Sequence, residues 1–235
     1  MKPYLFLLPL AALAQWMASA QTTTIPITGL CNTGLTTASP QPTGCAGSTL
    51  VTPVNPQTGG SSIDGNWQLA TPYPSSQYYY LQAPDPCSLP KFGSAWVDTP
   101  GSSDWLNPDD GLSQWISPLN DVKSNGGWYI YRTVFPIPPG SGPYVLVVEG
   151  QVLADDYTTA IFLENPAGYA PGCQPASIPA PLPLLWTTWY PFGIETTVMP
   201  GTYAYLYFLV YNQGYEGPDA TGLRVEFKTA YVTPI

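Results

Sequence analysis

The chain has 235 residues, with 29 Pro, 22 Gly and only 9% charged residues, so a protein built on long helices is excluded. Its aromatic content of 14%, with many Val, Thr and Tyr, suits pleated sheets instead. Fifteen acids stand against six Lys and Arg, a formal charge of −9, and a surface this acidic repels nucleic-acid phosphates and anionic lipid.

Residues 1–20 read as a cleaved secretory signal. Lys2 is followed by an apolar run through Leu13 and by the small-residue ending Ala18-Ser19-Ala20, and the run is too short to span a bilayer. Removal of this leader leaves Lys91, Lys123, Arg132, Arg224 and Lys228 against the 15 acids, a charge of −10. Residues 21–235 are expected to form a single domain, released outside the cell or attached through a partner and without membrane insertion, since nothing after Val232 resembles an anchor.

Residues 21–62 are rich in Thr, Ser, Pro and Gly, yet Ile25-Pro26-Ile27-Thr28 and Thr49-Leu50-Val51 are strand-like. Cys31 and Cys45 lie between these runs. The segment is therefore expected to be an edge element of the domain. From Asn66 onward, strand signals recur at residues 67–70, 78–82, 128–135, 144–152, 158–163 and 186–194. They are separated by turn clusters such as Pro138-Pro139-Gly140 and Met199-Pro200-Gly201.

Two long runs close the chain. In the first, Ala204, Leu206, Phe208 and Val210 alternate with Tyr203, Tyr205, Tyr207 and Tyr211; in the second, Leu223, Val225 and Phe227 alternate with Arg224, Glu226 and Lys228. Such alternation marks strands with one face in a core. The two runs read as a hairpin around a polar loop, in an all-β, antiparallel β-sandwich whose variable chemistry lies in end loops.

In order, Gly127-Trp128-Tyr129-Ile130-Tyr131-Arg132-Thr133-Val134-Phe135, Ala154-Asp155-Asp156-Tyr157, Pro191-Phe192-Gly193-Ile194, Val210-Tyr211-Asn212 and Thr221-Gly222-Leu223-Arg224-Val225-Glu226-Phe227 resemble a family of bacterial secreted jelly-roll domains. These domains are related in shape to galactose-binding-like modules and occur in exosortase-sorted (PEP-CTERM type) extracellular proteins. Asn32-Thr33-Gly34-Leu35, Asp64-Gly65-Asn66-Trp67 and Ser113-Gln114-Trp115-Ile116-Ser117-Pro118 resemble the family's opening. The resemblance implies a jelly-roll, galactose-binding-like fold and an extracellular setting; it carries no catalytic residues. The chain departs from the pattern in its four cysteines and in having no sorting segment.

Cys31, Cys45, Cys87 and Cys173 suit two disulfides. Of the three pairings, Cys31–Cys45 and Cys87–Cys173 is preferred, because the first closes a Gly/Thr-rich loop and the second ties two Pro-rich loops together. No histidine is present, so Ser-His-Asp and Cys-His catalysis is impossible and a zinc site lacks its usual ligands.

A glycosidase needs only two carboxylates, and Asp104, Asp109, Asp110, Glu149, Asp155 and Asp156 are available, but acids beside Asn, Gly and Pro are mostly turn formers. The same chemistry makes Asp109, Asp110, Asp155 and Asp156 candidate ligands for a structural calcium ion. Trp96 and Trp105, among Gly, Ser and Asp, suit a loop platform that stacks on sugar rings, whereas Trp67, Trp115 and Trp128 are expected in the core.

Tyr215, Glu216 and Asp219, in the last polar loop, are the other candidate ligand contacts. The tyrosine row is expected to pack across strands, and Arg132 and Arg224 to pair with neighbouring acids such as Glu226 or Glu149. The leading expectation is a non-enzymatic, secreted β-sandwich that binds an exopolysaccharide or environmental glycan through loops at one end of the sandwich. The alternative is an extracellular-matrix or surface protein that self-associates through tyrosine-rich faces, and a carboxylate-only glycoside hydrolase comes third.

Overall fold

A computed structural model describes residues 23–34, 44–45, 49–51, 61–73, 84–88, 91–98, 112–118, 123–166, 173–175, 186–214 and 219–235. The expectations for residues 1–20, for the strand at 78–82 and for Asp104, Trp105, Asp109, Asp110, Tyr215 and Glu216 lie outside them. The described residues are all-β. They form β1 (Ile25–Pro26), β2 (Thr49–Val51), β3 (Ser61–Tyr73), β4 (Gly93–Asp98), β5 (Trp115–Ser117), β6 (Lys123–Ser124) and β7 (Gly127–Pro136), followed by β8 (Tyr144–Asp155), β9 (Tyr157–Glu164), β10 (Cys173–Pro175), β11 (Tyr190–Val198), β12 (Tyr203–Asn212), β13 (Asp219–Ala220) and β14 (Gly222–Pro234). The one helical element among them is a 3-10 turn, Pro86–Ser88.

Twelve of these strands build one antiparallel ladder in the order β10-β9-β12-β7-β3-β4-β5-β14-β8-β11, with β1 on β14 and β2 on β3, and β6 and β13 pair with each other apart from it. This ladder is folded onto itself. Phe208 of β12 lies 5.4 Å from Phe192 of β11, and Trp67 of β3 stacks 6.3 Å from Phe227 of β14, though these strands are far apart along it. One wall holds β9, β12, β7 and β3, and the other holds β14, β8 and β11.

The closing runs differ from the expected hairpin. β12 pairs with β7 and β9, while β14 pairs with β8, β5 and β1, so the two never pair with each other. Taken in chain order, β7, β8, β9, β11, β12 and β14 alternate between the two walls, which is the winding of a jelly roll. Local alternation sets which face of a strand is buried but not its partner. Both runs bury one face against the same core, and that requirement is met better from opposite walls.

The core takes Tyr129, Tyr131 and Phe135 of β7, Ile161 and Leu163 of β9, and Leu206, Phe208 and Val210 of β12 from one wall. From the other it takes Leu146, Val148 and Val152 of β8, Phe192 and Ile194 of β11, and Leu223 and Val225 of β14. Gly150 is required here: a side chain on it would meet the Glu226 carbonyl at 2.5 Å and the Phe192 ring at 2.7 Å.

Trp67, Trp115 and Trp128 are buried as the sequence suggested. The disulfides are Cys31–Cys45 and Cys87–Cys173, the preferred pairing.

The N-terminal segment is stitched into this framework. Thr33 donates its N–H to the Val225 carbonyl, Val225 N–H donates to Thr33 Oγ1, and Phe227 N–H donates to Asn32 Oδ1 where β14 bulges. The Asp64 carboxylate accepts N–H groups from Gly34 at 2.6 Å and Asn66 at 2.9 Å, while Trp67 Nε1 donates to the Cys31 carbonyl. Thus the two opening motifs, around Asn32 and Asp64, meet.

Candidate functional site

Both walls carry covered patches on their outer faces. On the β14 side Arg224 is fully buried. Its Nε donates to Ser113 Oγ at 2.7 Å, the Ser113 hydroxyl donates to Glu226 Oε1 at 2.7 Å, and Gln151 donates to Glu226 Oε2. Glu226 lies 3.7 Å from Arg224, and the Trp189 ring covers the guanidinium at 5.3 Å. The expected pairing of Arg224 with Glu226 is present. With Arg224, Ser113 and Glu226 buried and bonded to one another, this cluster is a structural lock.

The outer face of the β12 side is different, because it is polar and aromatic and part of it reaches solvent. Register puts Glu164 of β9, Tyr205 of β12 and Val134 of β7 in one row, and Phe162, Tyr207, Arg132 and Gln68 of β3 in the next. Among the described residues Arg132 pairs with no acid. Its guanidinium instead donates to Gln68 Oε1 and lies 3.8 Å from the Phe92 ring centroid and 5.1 Å from that of Tyr205.

Arg132 thus differs from the expected ion pair because its cross-strand neighbours are Gln68 and Tyr207 and because aromatic faces attract a guanidinium. Tyr207 donates its hydroxyl to Glu164 Oε2. Burial holds the Tyr207 hydroxyl well above the ordinary phenol range; the Glu164 carboxylate adds to the shift and Arg132 opposes it. Tyr207 is therefore a neutral hydroxyl between a cation and an anion.

One end of this face is sealed by Trp128, Ile130, Leu209 and Tyr211, against which Cys87 and Cys173 pack. At the other end Tyr203 is 60% exposed and Val134 39%, with Tyr205, Phe92 and Phe162 partly buried between. The tyrosine row packs across strands at Tyr207 and Tyr211, as expected, and opens to solvent at Tyr203.

The residues singled out from the sequence lie elsewhere. Trp96 is on β4, partly buried and in register with Ile63 and Ser117, on a strand rather than in a loop. The backbone of Asp219 pairs with Ser124.

Asp155 ends β8, where its carbonyl accepts the Thr221 hydroxyl, and the Asp156 carboxylate accepts the Gln213 N–H at 2.7 Å. These two acids brace the corner between walls. Among the described residues, the one group of three metal-ligating side chains is Asp85, Cys87 and Cys173, and both its cysteines are in the disulfide.

Sequence reasoning assigned Arg132, Tyr205 and Tyr207 to packing and passed over Gln68, Phe92 and Glu164. The available signal was period-two placement of Arg132 and the tyrosines on outward positions, but pairing of β7 with both β3 and β12 is needed to bring the six together. Neither comparison with protein-family models nor comparison with curated proteins gives a match.

Proposed function

We propose that this chain is a secreted, non-catalytic β-sandwich of galactose-binding-like kind that binds carbohydrate at the face around Arg132 and Tyr207. The observation that carries this reading is the joining of Arg132, Gln68, Tyr207 and Glu164 to the aromatic side chains of Phe92 and Tyr205 on one outer face. A sugar offers hydroxyls that both donate and accept, so a guanidinium and a carboxylate on either side of the Tyr207 hydroxyl suit neighbouring sugar hydroxyls, while aromatic carbon covers the sugar's C–H surface.

A non-catalytic role is favoured by how the acids are used. Asp64, Asp156, Glu164 and Glu226 all accept hydrogen bonds that brace the fold. The disulfides favour an oxidising, extracellular setting, and no helix among the described residues is long and apolar enough to cross a membrane.

Exposure of Tyr203 and Val134 favours a second reading, self-association through the same face. Titration of the chain against a glycan array in calcium-containing buffer, with sedimentation of the same samples, separates the two. Glycan binding by a monomer supports the first reading, a concentration-dependent dimer without binding supports the second, and a monomer that binds nothing removes both.

A further inference from the structure

We propose that Asn125 is a site of spontaneous succinimide formation, converting to aspartate and isoaspartate at the end of the sandwich where β6 enters β7. Asn125 is the one asparagine of the chain followed by glycine; the others precede Thr, Pro, Trp, Asp or Gln, whose side chains crowd the attacking nitrogen. Its side chain is exposed and has no hydrogen-bond partner among the described residues, and no acceptor there takes up the Gly126 N–H. Electrophile and nucleophile are adjacent, and neither the Asn125 side-chain amide nor the Gly126 N–H is itself hydrogen-bonded among the described residues; the peptide that carries the nitrogen is held only through the Asn125 carbonyl.

The reaction needs no enzyme or oxidant. Gly126 backbone nitrogen attacks Asn125 Cγ, ammonia leaves, and water opens the five-membered imide at either carbonyl. One opening gives an ordinary aspartate at this position; the other routes the main chain through the former side chain and lengthens it by one carbon. Each product adds one negative charge.

The fold itself maintains this liability. A side chain on Gly126 would lie 2.8 Å from the Gln213 carbonyl oxygen, so glycine is imposed by the close approach of the β6–β7 turn to the end of β12. The Asn125 carbonyl accepts the Tyr129 hydroxyl at 2.6 Å and Asn212 Nδ2 at 3.4 Å, and β6, just before it, pairs with β13. Lengthening the chain at Asn125 displaces the anchor of Tyr129 and Asn212 and loosens β6 from β13.

The test is ageing of the intact disulfide-bonded chain at mildly alkaline pH. Peptide mapping follows mass at Asn125, an isoaspartate-specific methyltransferase assay follows the rearranged product, and urea denaturation follows stability. The expected result is conversion at Asn125 ahead of every other asparagine, a one-charge acidic shift, and a lower urea midpoint in the isoaspartate fraction. An Asn125→Gln variant should show none of these, and Asn125→Asp should show the charge shift without the loss of midpoint. Retention of the amide at Asn125 under conditions that convert the reduced, denatured chain would overturn the proposal, as would conversion at other asparagines at the same rate.

Discussion

Phe192 on β11 meets Phe208 on β12 edge to face, with centroids 5.4 Å apart and planes at 83°, across the centre of the sandwich. Phe208 also lies 5.5 Å from Trp67 of β3, so one buried ring joins three strands of the two walls. Phe208→Ala is expected to cost about 3–5 kcal/mol by loss of transfer energy and creation of a cavity, read as a lower urea midpoint. Phe208→Leu, which keeps most of the volume, should lose much less.

The buried Arg224 and Glu226 pair depends on both members. Glu226→Ala leaves a guanidinium enclosed beneath Trp189 and should cost about 3–5 kcal/mol. Replacing both residues, as in Arg224→Met with Glu226→Leu, should recover part of that loss. A double-mutant cycle by chemical denaturation measures the coupling.

Asp64 sets a pH dependence. Burial raises its pKa from 3.8 to about 6, opposed by the N–H groups of Asn66 and Gly34. The folded chain therefore holds this proton more tightly than the unfolded chain. Its contribution to stability is fully present below pH 3.8 and is lost as pH rises through about 6, in total on the order of 3 kcal/mol. In Asp64→Asn that part of the pH dependence should vanish from denaturation curves recorded from pH 3.8 to above pH 6.

The two disulfides close loops of different length, 14 residues for Cys31–Cys45 and 86 for Cys87–Cys173. On the chain-entropy account their removal costs about 3 and about 4.6 kcal/mol. Paired Cys→Ser variants should therefore rank in that order in urea midpoint. Cys87–Cys173 should also matter more for binding, since both of its sulfurs pack against the cluster that supports Tyr207.

Much of the fold is legible in the sequence because burial leaves a local signature. The alternation at residues 203–211 marks Ala204, Leu206, Phe208 and Val210 as core, and they are buried. Pairing leaves no such mark: β12 and β14 read as partners because they are the two long closing runs, whereas each finds its ladder with strands remote in sequence. The same limit hides the site. Arg132 and Gln68 are 64 positions apart and meet only through the β3 and β7 register. Trp96 reads as a loop residue because Gly93, Ser94 and Asp98 around it are turn formers, but β3 and β5 flank it on both sides and hold it in a strand.

Calorimetric titration of the chain and of its Arg132→Ala variant, against polysaccharides selected on the glycan array, tests carbohydrate binding at the Arg132 face most directly. Arg132 offers charge-assisted hydrogen bonds worth about 1.5–3 kcal/mol, so the variant should bind about ten-fold more weakly or worse while keeping its fold by circular dichroism. Equal affinity of variant and parent chain, or no binding by the parent chain to any polysaccharide, would contradict the assignment.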